Sequence, residues 1–129
     1  MTQNQDRRKY VRIPAKYGLI FKRISMSSFM EQEVETALKD ISAGGALVET
    51  SKLYHVGDVL HLKIKIPGWE KYKAEFIRPG QLSRSEPLIT LATIVRVELI
   101  RMGHYELGLC FVGIEESHQK ALIRFLKKL

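Results

Sequence analysis

Apolar and polar residues alternate with a period of two through most of this chain, and only the carboxyl end shifts to the longer period of a helix. The cleanest alternation runs through residues 59–66. There Leu60, Leu62, Ile64 and Ile66 fall on one face and His61, Lys63 and Lys65 on the other, as in a strand with one buried side. The same reading predicts strands at 17–21, 33–40, 46–50, 88–100 and 105–112. The 33–40 run alternates only in part, and a helix from about Ser28 is its alternative, since Phe29, Met30, Glu31, Gln32 and Glu33 all tolerate helix. Residues 69–77 alternate less well but carry Trp69, Tyr72 and Phe76. Turn signals punctuate the runs: Ser25, Ser27 and Ser28, then Gly44 and Gly45, Gly57 and Asp58, Pro67 and Gly68, Pro79 and Gly80 before a polar loop to Pro87, and Gly103. Pro14 favours an extended backbone at Ile13. From residue 115 onward Leu122, Phe125, Leu126 and Leu129 share a helical stripe. Glu115 and Glu116 open it and Lys127 and Lys128 close it, the order a helix dipole favours. Many short strands with glycine and proline turns predict an antiparallel barrel or sandwich, with one amphipathic helix packed on an open side or end.

Composition narrows the class without naming a function. At 129 residues, 45% apolar and 27% charged, the chain reads as one soluble globular domain. No window approaches ~20 uncharged apolar residues, and residues 1–6 are polar, without the apolar run of a signal peptide. These residues are expected to be disordered. Cys110 stands alone within an apolar run from Leu107 to Val112; it reads as a buried small hydrophobe, in keeping with a reducing cytoplasm. The formal charge of +7 points to an anionic partner: nucleic acid, a phosphate-bearing small molecule or an acidic membrane surface. Arg7, Arg8, Lys9, Arg12, Lys16, Lys22 and Arg23 crowd the first two dozen residues, opposed only by Asp6. A solvated amino arm accounts for them as well as a binding arm does.

Catalytic chemistry finds little support. His55, His61, His104 and His118 are scattered without metal-ligand spacing. Ser42 sits in a glycine-rich turn that is not a nucleophile elbow. The run Ser42, Ala43, Gly44, Gly45 lacks the lysine and the following helix of a phosphate-binding loop. It fits a β-turn in which Gly44 or Gly45 takes a positive φ and Asp40 or Ser42 bonds back to the main chain.

Arg8 and Arg12 are more informative. A guanidinium matches phosphate, or the O6/N7 edge of guanine, with two parallel donors, and its plane stacks on a base. In an extended segment the two arginines lie ~13 Å apart at ~3.3 Å per residue, enough to address separate groups of a dinucleotide. Tyr10 between them is an anchor or a stacking surface.

Arg8 and Arg12 spell R-x-x-x-R, and Asp40, Ser42 and Gly45 spell D-x-S-x-x-G about thirty residues later. In this order on an all-β background, the chain resembles the PilZ family, bacterial receptors of cyclic di-GMP. The likeness extends through the turn at Gly57, the run at Val95 and Arg96, and Tyr105 to Phe111 before the closing helix. Residues 69–87 are longer than the family pattern and leave the strand count there open. The resemblance implies a six-stranded, Greek-key-like antiparallel β-barrel with residues 1–13 as a flexible arm, 14–112 as the barrel and 115–129 as the helix. It implies cyclic di-GMP held between arm and turn. Arg8 and Arg12 would take guanine edges and phosphates, and Asp40 and Ser42 would bond guanine or orient the arginines. Gly45, helped by Gly44, would let backbone approach the ligand. Arg7 would stack on a second guanine and favour an intercalated pair of ligands. The expectation is a non-enzymatic cytoplasmic receptor without cofactor or membrane insertion, signalling to a protein partner that the sequence does not identify. A nucleic-acid-binding barrel and a PilZ-like adaptor without ligand are the alternatives, and a homodimer face is the alternative use of the terminal helix.

Overall fold

The computed structural model describes residues 12–25, 31–69 and 87–128. Among the described residues seven strands and one helix follow in chain order: β1 (Ile13–Pro14), β2 (Gly18–Ile24), β3 (Val34–Ile41), β4 (Gly45–Thr50), β5 (Val59–Lys65), β6 (Leu88–Arg101), β7 (His104–Val112) and α1 (Glu116–Lys127). Neighbouring strands pair antiparallel in the order β2, β5, β6, β7, β4, β3, and β3 returns to β2 to close a six-stranded barrel. The short β1 joins β3 on the edge that β2 also uses, with Ile13 opposite Ile41 and Pro14 opposite Asp40. The all-β barrel with a terminal helix is thus the architecture that the turn-punctuated strands predict.

Period-two alternation places one side of each strand inside. Leu19 and Phe21 from β2, Leu60, Leu62 and Ile64 from β5, Leu88, Ala92 and Ile94 from β6, and Leu107, Leu109 and Phe111 from β7 make the core. Ala121, Leu122, Phe125 and Leu126 bring the apolar stripe of α1 onto it. Residues 33–40 are strand rather than helix, and the reason for their imperfect pattern is visible. Opposite β4 the register shifts between Leu38 and Asp40, a bulge centred on Lys39. Unbroken alternation from the buried Leu38 would drive Asp40 into the core; after the bulge Ile41 is buried instead, and Asp40 is partly exposed.

Two expectations need correction. Cys110 is exposed rather than buried. The run from Leu107 to Val112 is a strand with two faces: Leu107, Leu109 and Phe111 point inward, and Cys110 and Val112 point to solvent. Gly44 and Gly45 do not take positive φ; among the described residues the glycines that do are Gly57, Gly68, Gly103 and Gly113. Trp69 is fully buried, against His118 of α1 with ring centroids 5.6 Å apart. Tyr72, Phe76 and the rest of the 70–86 segment lie outside the described residues, as do residues 1–11.

Candidate functional site

The β3–β4 connection is three residues long, Ser42 to Gly44. Ser42 N–H donates to Gly45 O at 2.8 Å, so Ala43 and Gly44 form the tip. Hairpins this short commonly rely on positive φ; here a side chain shapes the turn instead. The Ser42 hydroxyl oxygen accepts from Gly44 N–H at 3.1 Å and from Gly45 N–H at 3.2 Å, the local bonding that makes serine a turn former. The Gly44 carbonyl accepts from Phe111 N–H at 2.9 Å, which ties the tip to β7.

Gly45 is required for packing. A β-carbon there would stand 2.1 Å from the Leu109 carbonyl oxygen, so β4 and β7 approach each other too closely for any side chain at that point. The φ of Gly45 is not positive, and the barrel wall demands a glycine here whether or not a ligand approaches.

Asp40 lies two residues before Ser42, turned out of the core by the Lys39 bulge. Its Oδ1 is buried and has no hydrogen-bond partner among the described residues. Buried acceptors are almost always satisfied, so this oxygen marks a place for a donor. Lys39, its neighbour, bonds Glu106, which Arg96 also approaches at 3.5 Å. The bond to Glu106, then its charge, raises the Lys39 pKa above the ordinary lysine value. The strong pairing directs Lys39 to Glu106 and leaves Asp40 Oδ1 open.

Arg12 completes the described part of the site. It is exposed and makes no ion pair among the described residues. Extending the β1–β3 register by one residue past Ile13 and Ile41 places Arg12 beside Ser42. The structure thus brings Arg12, Asp40, Ser42, Gly44 and Gly45 to one end of β3. Arg7, Arg8 and Tyr10 lie outside the described residues. Two contributors escaped the sequence reading: the Phe111 amide and Gln119 of α1, whose Nε2 donates to Ala43 O at 3.3 Å. Neither carries a local signal, since the fold alone brings residues some seventy positions apart together. Among the described residues no cluster fit for a metal ion occurs, no helix is long and apolar enough to cross a membrane, and no aromatic ring is exposed.

A family model described as PilZ domain matches residues 6–128. No curated protein matches the chain. Among solved structures it is similar to the Bacillus subtilis inhibitor of motility MotI/DgrA, at 21% identity and a TM-score of 0.68, over 96% of this chain and 51% of that one. It is similar to the PilZ domain of Escherichia coli YcgR with c-di-GMP, at 19% identity and a TM-score of 0.61, over 96% of this chain and 92% of that one. The K. pneumonia MrkH–c-di-GMP complex aligns at 13% identity and a TM-score of 0.60, over 96% of this chain and 52% of that one. The chain therefore spans about half the length of MotI and MrkH. At such identities these likenesses establish a shared fold.

Proposed function

Since the PilZ model covers nearly all of its length, this chain belongs to the PilZ family, and on that premise we propose that it is a non-enzymatic receptor for cyclic di-GMP. The observation that carries the reading is the orphaned Asp40 oxygen, set two residues before a hydroxyl-clamped turn whose Ser42 lies beside Arg12 when the β1–β3 register is extended. Guanine offers N–H donors on one edge and the O6 and N7 acceptors on another. Asp40 accepts from the first. Arg12 and Arg8 donate to the second or to phosphate, as paired charge-assisted bonds. PilZ neighbours of the same fold have been crystallised with c-di-GMP, which supports this choice among anionic ligands. Among the described residues Tyr17 and Tyr105 are half-buried and the other Phe, Tyr and Trp rings buried, a poor stacking platform for single-stranded nucleic acid.

In this reading the basic arm closes over the ligand on the outer surface, and a protein partner senses the new surface. Ordering the arm costs ~1–2 kcal/mol per backbone residue, which several charge-assisted bonds must offset. Arg7 then stacks on a second guanine and recruits a second ligand molecule.

Calorimetric titration with cyclic di-GMP, with GMP and ATP as controls, tests the proposal. Arg8→Ala and Arg12→Ala each weaken binding about 10- to 100-fold, the range for hydrogen bonds to charged groups, with circular dichroism unchanged. Micromolar or tighter binding by the double alanine variant overturns the reading. Arg7→Leu lowers the stoichiometry from two ligands to one; a single ligand in both proteins removes the stacking role alone.

A further inference from the structure

The terminal helix reaches the tip of the ligand turn through one side chain. Gln119 Nε2 donates to Ala43 O at 3.3 Å. The other carbonyls of the turn are held by the barrel itself, Gly44 O by the Phe111 amide and Gly45 O by the Ser42 amide. Ala43 is only 2% exposed, where a carbonyl deprived of its donor is costly. The turn has no positive φ to define its shape. Its conformation therefore rests on hydrogen bonds: the Ser42 hydroxyl and amide from within, the Phe111 amide from β7 and the Gln119 amide from α1.

Gln119 is well placed for this. Its backbone N–H donates to Glu115 O at 2.9 Å, so its main chain is already part of the helix. The helix is fixed two to seven residues further on by the burial of Ala121, Leu122, Phe125 and Leu126. A packed helix, and not a loop, thus sets the reach of the amide.

We propose that Gln119 is a positioning residue that holds the Ala43 carbonyl, keeps the turn in its ligand-competent shape and thereby couples the packing of α1 to ligand affinity. The proposal deepens the cyclic di-GMP reading above and rests on it. If loss of the bond lets the turn leave its competent shape, apparent affinity falls by the fraction of competent molecules lost. One neutral hydrogen bond allows about a two- to twelvefold change. The linkage is reciprocal, so ligand at the turn must also steady the helix.

The test uses the full chain with Gln119→Leu, which removes the donor, and Gln119→Glu, which replaces it with an acceptor at nearly constant shape. Both are titrated calorimetrically with cyclic di-GMP, and amide exchange is followed by NMR with and without ligand. Both variants weaken binding more than twofold and up to about twelvefold, by the single-bond range above. In the free variants the Gly44 and Gly45 amides exchange faster, and those of Leu60 and Leu62 do not. Saturating ligand slows exchange across α1 in the wild type and does so less in the variants. Should Gln119→Leu fail to fold, the near-isosteric Gln119→Glu carries the same test. Affinity within twofold of wild type in the folded variants overturns the coupling alone. So does weaker binding accompanied by faster exchange throughout the barrel, the mark of a general structural role. A wild-type protein that binds no cyclic di-GMP overturns the receptor reading, and this coupling with it.

Discussion

A β-carbon on Gly45 would meet the Leu109 carbonyl oxygen at 2.1 Å, whereas one on Gly108 would meet the Arg96 β-carbon at 3.3 Å. The first neighbour is main chain within a paired strand and the second is the base of a half-exposed side chain, so the two substitutions separate cleanly. Gly45→Ala must part β4 from β7 and costs ~1–3 kcal/mol or more by overpacking; Gly108→Ala needs a shift of a few tenths of an ångström and costs less. Urea denaturation of the two variants orders them, and equal losses would contradict the close approach. Asp40 makes the opposite prediction. Its unpaired oxygen costs the free protein on the order of 1–3 kcal/mol, which Asp40→Ala relieves while it removes an acceptor for the ligand. The variant is therefore expected to melt no lower than wild type and to bind cyclic di-GMP more weakly. A lower melting temperature with unchanged binding would make Asp40 a structural residue.

Helix α1 closes the core with four buried residues, and Leu122 among them is fully buried. Leu122→Ala leaves a cavity and is expected to lose ~2–5 kcal/mol, read from the urea midpoint at constant slope. A loss below ~1 kcal/mol, against that range, would mean that the helix packs loosely. This stripe was legible in the sequence because its period differs from that of every earlier segment. The strand at 59–66 was legible for the complementary reason, a strict alternation that β5 preserves. β3 was only half legible, since its bulge breaks the pattern at Lys39, and a bulge is recorded in the partner strand rather than in the local sequence. The same holds for β6, where the alternation of buried residues from Leu88 to Ile94 ends as the register against β7 slips between Ile94 and Arg96. Of the site, Asp40, Ser42 and Gly45 were singled out by their resemblance to the motif of a known family, since their spacing alone fits an ordinary β-turn. The Ser42 bond back to the main chain was legible as turn chemistry, whereas the orphaned Asp40 oxygen and the close approach at Gly45 follow from tertiary neighbours.

Across the whole molecule the resolved shifts among the described groups point to alkaline pH. Burial raises the Tyr17 pKa, and burial followed by the Glu31 charge raises that of Tyr54. Tyr54 packs edge-on to Phe21 with ring centroids 5.7 Å apart, an environment that disfavours a phenolate. A raised tyrosine pKa means that the folded protein keeps its proton after the unfolded chain, near its reference value of about 10, has released it. The unfolded state then binds fewer protons, and stability falls as pH rises. Lys39 acts in the same direction. Its bond to Glu106 raises its pKa, so its contribution is complete below the unfolded value of about 10.4 and disappears as pH rises through the folded one. With three groups aligned, the urea midpoint is expected to decline from about pH 10 upward, in step with tyrosine ionisation followed by ultraviolet absorbance. Tyr54→Phe removes one of the three groups and should flatten that decline relative to wild type. A midpoint level to about pH 11, or a decline as steep in Tyr54→Phe, would show that these groups experience the same environment folded and unfolded.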